Sequence, residues 1–463
     1  MLFISIYITA ALCYNVLKSF SVKGNGAMSY TVGIYTLGCK VSQYESIAIS
    51  ERFEALGYKV MPFESECDIY VINTCTVTAE SDRKCRQIIR RATSRKKPVF
   101  VCGCYSQVAP QDIAKIEGVT YISGNYNKTK IPDIAHKMLS ERSFQSSPTI
   151  DVCDIDSCEF EPMCIKSAPR TRVYVKIEDG CESRCTYCII PAARGKIRSK
   201  LPEDILSEVS ELAKSGVKEV VLTGIETASY GKDLGDIRLI DIIEKIAKIG
   251  GIERIRLGSL DPSSINEDFV IRASKEKKLC PHFHLSLQSG SSTVLARMKR
   301  KYNADQAMAK IDLIRSYIKD ATFTTDVMVG FPGETPEEFS ESIEFAKKAR
   351  FLFMHIFPYS KRSGTLAAKY DGQIEESEKH RRVNELSAVR DTVSKEVTKE
   401  LVKIGCEIDV LFETYDGEYL KGHTANFIEI KAPSQYDMRS QIHTIKVTSN
   451  DNGICIGEIL TKN

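Results

Sequence analysis

Three closely spaced cysteines, Cys181, Cys185 and Cys188, carry the clearest chemical signal in this chain. They follow a strand-like run at 173–177 and an Asp179-Gly180 turn, and their spacing is C-x3-C-x2-C. Zinc sites close a tetrahedron with paired spacings, and ferredoxin runs use four cysteines. Three thiolates can hold a cubane iron–sulfur cluster and leave one iron without a protein ligand. An open coordination position is what lets a metal site engage a substrate. The chain has 16 Cys in 463 residues, and at that content chance supplies roughly 0.02 matches to the pattern. A buried or zinc-binding trio is the plain alternative, and the spacing disfavours it.

With the following I-I-P-x-x-R-G at 189–195, this stretch resembles the cluster loop of radical S-adenosylmethionine enzymes. The resemblance implies a [4Fe–4S] cluster on Cys181, Cys185 and Cys188 whose open iron is chelated by S-adenosylmethionine. It also implies one-electron cleavage of that cofactor to a 5′-deoxyadenosyl radical.

The elements that must position such a site alternate strand and helix. Strand-like runs at 32–36, 68–73, 98–102 and 119–123 are separated by helical stretches, the pattern of a parallel sheet with helices on its faces. Cys39, Cys75 and Cys104 each follow one of these runs. Strand C-termini of a parallel sheet share one edge, so topology brings these three together. Cys102 competes with Cys104 for the third place, and Cys67 and Cys85 lie on other segments. T-L-G-C-K, N-T-C-T-V and G-C-Y-x-Q resemble the amino-terminal domain of radical methylthiotransferases. That resemblance selects Cys39, Cys75 and Cys104 as ligands of a second [4Fe–4S] cluster that supplies or anchors sulfur.

Strand-and-helix alternation resumes from residue 171, with candidate strands VYVKI, KEVVLTG, IERIRLG, HFHLSLQS, TFTTDVMVG and FMHIFPY. Six such units resemble the partial (β/α)6 barrel of the radical family, whose site lies at the C-terminal ends of the strands. Polar residues there form the expected cofactor shell: Gly224, Glu226, Ser286, Gln288 and Asp326. Thr335-Pro336-Glu337-Glu338 announces a helix through an N-cap, a first-turn proline and a capping-box Glu. No complete P-loop or dinucleotide fingerprint is present.

A charged helical stretch at 373–404 reads as a solvated connector, and a strand-rich tail with an Asp416-Gly417 turn follows it. A terminal five-strand barrel of the oligonucleotide-binding type suits this tail, and it resembles the TRAM domain that ends the family. Cys406 and Cys455 are expected in its core. The expected architecture is therefore α/β: an amino-terminal parallel sheet domain (28–139), a linker (140–170), a partial radical barrel (171–372), a helical connector (373–404) and a small β-barrel (405–463). Cys153, Cys158 and Cys164 fall in the linker, away from ligand spacing.

Residues 1–17 carry no charge but lack the basic start of a secretory signal and are short for a span. Residues 1–27 are expected to be an upstream extension, with Met28 opening the folded protein; an amphipathic anchor is the competing reading. Cysteine usage favours a reducing cytoplasm over a disulfide scaffold, and no stable membrane partner is expected. Net charge is +3, so any nucleic-acid surface must be local. Basic residues gather at Arg83, Lys84, Arg86, Arg90, Arg91, Arg95, Lys96 and Lys97, and again at Arg194, Lys196 and Arg198. They are candidates for phosphate contacts that would position RNA.

The resemblance as a whole implies methylthiolation of a tRNA base beside the anticodon. T-L-G-C-K-V-x-Q-Y-E resembles the branch acting on threonylcarbamoyladenosine at position 37, and Ser42 stands where that branch usually has Asn. The isopentenyladenosine branch and the ribosomal-protein aspartate branch are the neighbouring alternatives. Two S-adenosylmethionine molecules, an external electron donor and a sulfur source are implied. The non-enzyme alternative, a two-cluster electron carrier with an RNA-binding module, leaves three-cysteine sites unexplained.

Overall fold

The computed structural model describes residues 30–167, 171–451 and 453–460, so the expectation for residues 1–27 lies outside the described residues. The chain gathers into two compact units. The first runs to residue 167 and takes in Gly180–Glu182 and Ile189–Lys196; the remainder forms the second.

A six-stranded, wholly parallel sheet organises the first unit. Its strands are β1 (Thr31–Thr36), β2 (Lys59–Met61), β3 (Ile69–Thr74), β4 (Val99–Gly103), β5 (Val119–Ser123) and β6 (Thr149–Asp151), in the order β2-β1-β3-β4-β5-β6. Every residue of β3 is buried, as a continuous Ile-Tyr-Val-Ile run requires of a parallel strand covered on both faces. One face packs Ile72 and Val99 against Cys85 and Ile89 of α2 (Ala79–Thr93). The other packs Val32 and Val71 against Ile49 and Phe53 of α1 (Lys40–Ala55) and Ala135 of a later helix at 131–141. Thr78 caps α2 by accepting from Ser81 N at 3.0 Å, and Glu80 and Asp82 oppose the helix dipole. The four apolar runs fall on β1, β3, β4 and β5. Strands β2 and β6 have three residues each, too few to show a period, and β6 extends the sheet from within the stretch read as a linker.

The second unit contains a parallel set: β7 (Arg172–Lys176), then, past the antiparallel pair β8 (Glu178–Asp179) and β9 (Arg198–Ser199), β10 (Glu219–Thr223), β11 (Arg254–Leu257), β12 (Ser259–Leu260), β13 (His282–Gln288), β14 (Thr322–Val329) and β15 (Phe353–Pro358). Only Gly258 separates β11 from β12. Its N–H donates to Leu222 O at 2.7 Å, and a Cβ there would lie 2.9 Å from Thr227 Oγ1. Counted as one bent strand, the pair completes the six parallel strands of a partial (β/α)6 barrel, the expected fold class. The Thr335 capping box is present and opens the helix Pro336–Ala349. No helix among the described residues is long and apolar enough to cross a membrane.

The helix Glu376–Leu401 is more than a solvated connector. Val383, Leu386, Val393 and Val397 are buried along one side, and Arg382 pairs with Glu334 at 2.6 Å, both nearly inaccessible. Past it, β16 (Glu407–Tyr415), β17 (Tyr419–Thr424), β18 (Glu429–Pro433), β19 (Ile442–Asp451) and β20 (Ile454–Ile459) close into a barrel. Cys455 lies in its core, with Cys406 packed beside it.

This barrel docks on the N-terminal edge of the parallel strands. Arg254, first in β11, donates to His423 O and Asp409 O; Arg172, first in β7, pairs with Glu413 at 2.7 Å. Phe427 stacks on His282, first in β13, at 4.5 Å between ring centres, with Arg172 and Arg256 over its ring. In barrels of this kind the site lies at the opposite, C-terminal edge of the strands.

Candidate functional site

In the first unit, Cys39 is the N-cap of α1, Cys75 follows β3, and Cys104 opens the short helix α3 (Cys104–Val108) after β4. Because β1, β3 and β4 are neighbours in a parallel sheet, their three cysteines come to one edge. The loop before Cys39 approaches closely: Gly38 has φ +121°, and a Cβ there would sit 3.1 Å from Cys75 Cβ. Burial pushes the Cys75 thiol up to about 12, and the nearby Cys104 and Cys39 push the same way. Cys39 and Cys104 therefore lie close to Cys75. Among the described residues, no three His, Cys, Asp or Glu side chains converge on a single metal ion. A cubane asks for a different arrangement, since each thiolate ligates a separate iron, and three cysteines around one sheet edge fit it.

The competing thiols are otherwise engaged. Cys102 is buried in the core beneath α1. Cys85 accepts from Cys75 N at 3.4 Å and donates to Cys75 O at 3.2 Å. Cys67 reaches Ser65 O. In the former linker, Cys153 and Cys158 form a thiol pair 2.9 Å apart, and Cys164 is exposed.

Residues of the C-x3-C-x2-C loop divide between the two units. Cys181 N donates to Gly195 O at 2.9 Å within the first unit. In the second, Thr186 donates from N to Met298 O and from Oγ1 to Arg297 O, while its carbonyl accepts from Ala367 N. Arg300, buried, donates from Nη1 to Cys185 Sγ at 3.3 Å and from Nη2 to Asp261 Oδ2 at 2.7 Å and Ser286 O at 2.8 Å. Arg300 thus ties Cys185 to Asp261 and to the end of β13.

The cofactor-shell candidates divide between strand ends. Gly224 and Glu226 follow β10, where a sequence reading missed their organiser, Glu178. Its carboxyl is inaccessible to solvent; Oε2 accepts from Glu226 N at 2.8 Å, and a Cβ on Gly224 would lie 2.4 Å from that oxygen. Among the described residues Glu178 Oε1 has no hydrogen-bond partner, and burial holds the carboxyl well above its usual range. Ser286 and Gln288 end β13. Gln288 adopts φ +75°, shifts the β13–β14 register and is nearly buried, and its side chain makes no hydrogen bond among the described residues. A non-glycine residue held in that conformation stores strain, as residues in ligand sites often do. It pairs with Val327, so Asp326 is its neighbour on β14, where Asp326 meets His284 Nε2 at 3.3 Å.

Residues 175–346 match the family model of the Radical SAM superfamily, and 31–124 match that of Uncharacterized protein family UPF0004. The chain is 37% identical to Threonylcarbamoyladenosine tRNA methylthiotransferase MtaB of Bacillus subtilis (strain 168), over 90% of this chain and 93% of that protein. The chain belongs to the radical SAM methylthiotransferase family. Its identity to the Thermotoga maritima protein of the same name is also 37%, over 90% of this chain and 94% of that one. A tRNA-2-methylthio-N(6)-dimethylallyladenosine synthase of Thermoanaerobacter sp. (strain X514) is 32% identical over 96% of each chain. Among solved structures, the radical S-adenosylmethionine methyltransferase TsrM from Kitasatospora setae superposes with a TM-score of 0.50 at 16% identity, covering 72% of this chain and 75% of that one; it shares the fold. As a radical SAM methylthiotransferase, the enzyme works with S-adenosylmethionine and a [4Fe–4S] cluster.

Several of the basic residues make contacts within the fold. Arg83 pairs with Glu80, Arg91 with Glu64, and Arg86 with the Tyr105 hydroxyl. Arg95 donates to Phe63 O and lies over the Tyr70 ring. Arg194 and Arg198 are buried. Burial takes Arg194 and Arg198 out of reach of phosphate, which corrects the expectation for those two, while Arg83, Arg90 and Arg91 remain exposed. Glu178, Asp261 and Arg300 escaped sequence reading because nothing in their spacing marks them; a charged residue beside an apolar strand run was the available signal.

Proposed function

We propose that this enzyme methylthiolates threonylcarbamoyladenosine at position 37 of tRNA, within the anticodon stem-loop. The observation that carries the reading is 37% identity, across about nine-tenths of both chains, to proteins named for that reaction. Dimethylallyladenosine synthases match at 32%, and they define the second reading.

In this reading Cys181, Cys185 and Cys188 hold the radical cluster. Cys39, Cys75 and Cys104 hold a second [4Fe–4S] cluster that anchors sulfur. The carbon to be modified offers neither a nucleophile nor an acidic proton, and S-adenosylmethionine with its cluster supplies, when bound, the radical chemistry such a C–H requires. The chain's own residues do the rest. Arg300 donates to Cys185 and, with Tyr302, anchors the end of β13 through the Ser286 carbonyl. Glu178 fixes the Gly224–Glu226 turn, while Gln288 and Asp326 present polar groups from adjoining strands; these five residues with Ser286 form the proposed cofactor shell. Residues 28–139, 171–372 and 405–463 act as sulfur-cluster, radical and TRAM domains, the last contacting tRNA. An external electron donor and a sulfur source complete the reaction. The reading puts the enzyme in the cytoplasm, with reduced thiols and tRNA.

Nucleoside mass spectrometry of tRNA from cells with and without the gene tests it. Loss of 2-methylthio-threonylcarbamoyladenosine is expected. Loss of the methylthio group from the isopentenyl nucleoside instead would transfer the assignment to the second reading. Reconstituted protein should hold about eight irons, and replacing either cysteine trio by Ala should leave about four.

A further inference from the structure

Arg194, from the I-I-P-x-x-R-G motif, lies six positions after Cys188 in sequence, yet its side chain is committed to the other cysteine trio. The short helix Ile190–Arg194 is part of the first unit. Asn125 Nδ2 donates to Ala193 O at 2.6 Å and Gly195 N to Pro191 O at 2.8 Å, which fixes the end of that helix. From there the guanidinium donates from Nη1 to Glu45 Oε1 at 2.6 Å and from Nε to Cys104 Sγ at 3.2 Å. Lys128 Nζ reaches the other Glu45 oxygen at 2.5 Å. The Arg194, Glu45 and Lys128 side chains are all 0% exposed.

Burying three full charges is expensive and is weak evidence of stability. Hydrophobic residues of similar volume would fill the space at no such cost, so the network calls for another explanation. Its geometry supplies one. Glu45 takes the terminal nitrogens of the planar guanidinium, which leaves Nε aimed at the sulfur with no freedom to turn away. Lysine has no such fork and could not serve both partners.

Building on the reading that Cys104 ligates the second cluster, we propose that Arg194 is a positioning residue for that cluster: its Nε–H donates a hydrogen bond to the Cys104 ligand sulfur and raises the cluster's reduction potential. Adding an electron makes a cluster more negative, and a donor with a fixed positive charge at a ligand sulfur stabilises that state. Hydrogen bonds to sulfur, net charge and solvent exposure are what set such potentials. Glu45 holds the donor in place and, with Lys128, keeps it dry.

The test uses the full chain with Cys181, Cys185 and Cys188 all replaced by Ala, reconstituted anaerobically, so that only the second cluster contributes. If this parent holds no cluster, the underlying reading fails, independently of Arg194. If it holds one, the potential is measured by dye-mediated titration with dithionite and electron paramagnetic resonance, in the parent and with Arg194→Lys added. The expected result is a more negative midpoint in the Lys variant; an equal or more positive midpoint overturns the proposal. A second measurement needs no substitution at Arg194. In the parent labelled with 15N-arginine, the reduced cluster should show a 15N coupling in electron–nuclear double resonance, and its absence overturns the proposal even if the Lys variant fails to load iron.

Discussion

Replacing Glu178 by Gln should remove a pH dependence built into the second unit. The carboxyl is inaccessible to solvent, receives backbone hydrogen bonds from the Ile225–Glu226 turn, and lies near the carboxylates of Asp179 and Glu226. Burial is the largest influence and raises the folded pKa well above the ordinary 4.5; the two carboxylates act in the same direction. The folded chain therefore keeps a proton that the unfolded chain releases. For a carboxyl with a raised folded pKa, stability falls as pH rises from the ordinary value to the raised one, and levels off above it. One proton bounds the slope at about 1.4 kcal/mol per pH unit. Gln keeps the acceptor for Glu226 N, puts an amide where Oε1 lies, and cannot ionise. The chain has no Trp, so urea unfolding of the cluster-free protein is best followed by circular dichroism at several pH values from 5 to 8. The variant should gain on the parent steadily across that window. A stability difference that is flat with pH, or that moves in favour of Glu as pH rises, would refute the reasoning.

Three further outcomes follow from the packing. Glu219→Gln leaves Arg256, whose Nε donates to Glu219 at 2.7 Å in a site 3% and 1% exposed, buried without its counter-charge; a loss of about 3–5 kcal/mol in urea unfolding is expected. Phe427→Ala removes two ring stacks and two guanidinium contacts at the docking edge, and about 2–4 kcal/mol should be lost from the same transition. Deleting residues 405–463 strips the partners of Arg172, Arg254 and Arg256 and uncovers Val393 and Val397. The truncated protein should bind the dye ANS and unfold at lower urea, and its tRNA affinity should fall most at low salt, where phosphate contacts count most.

The placement of the cysteines was legible in the sequence because it depends on spacing and on strand order. C-x3-C-x2-C is a local pattern, and topology brings one cysteine after each of three parallel strands to one sheet edge, with the resemblance choosing Cys104 over Cys102. The same held for the fold: apolar strand runs alternating with helical ones allow few arrangements, and the Thr335 capping box lies within four residues of chain. Where local pattern was weak, reading along the chain was insufficient. Strands β2 and β6 are too short to show a period. The helix Glu376–Leu401 looked solvated because its buried valines are spread among charges. Arg194 and Arg198 looked like RNA contacts because composition counts charge without burial. Tertiary structure alone decided that Arg194 turns to Glu45 and Cys104, that Glu178 underlies Gly224 and Glu226, and that two strand-starting arginines and one strand-starting histidine face the terminal barrel. The physical reason is common to all of these. A charge acquires its role from what neutralises and desolvates it, and those partners lie tens to hundreds of residues away, as Glu45 does from Arg194.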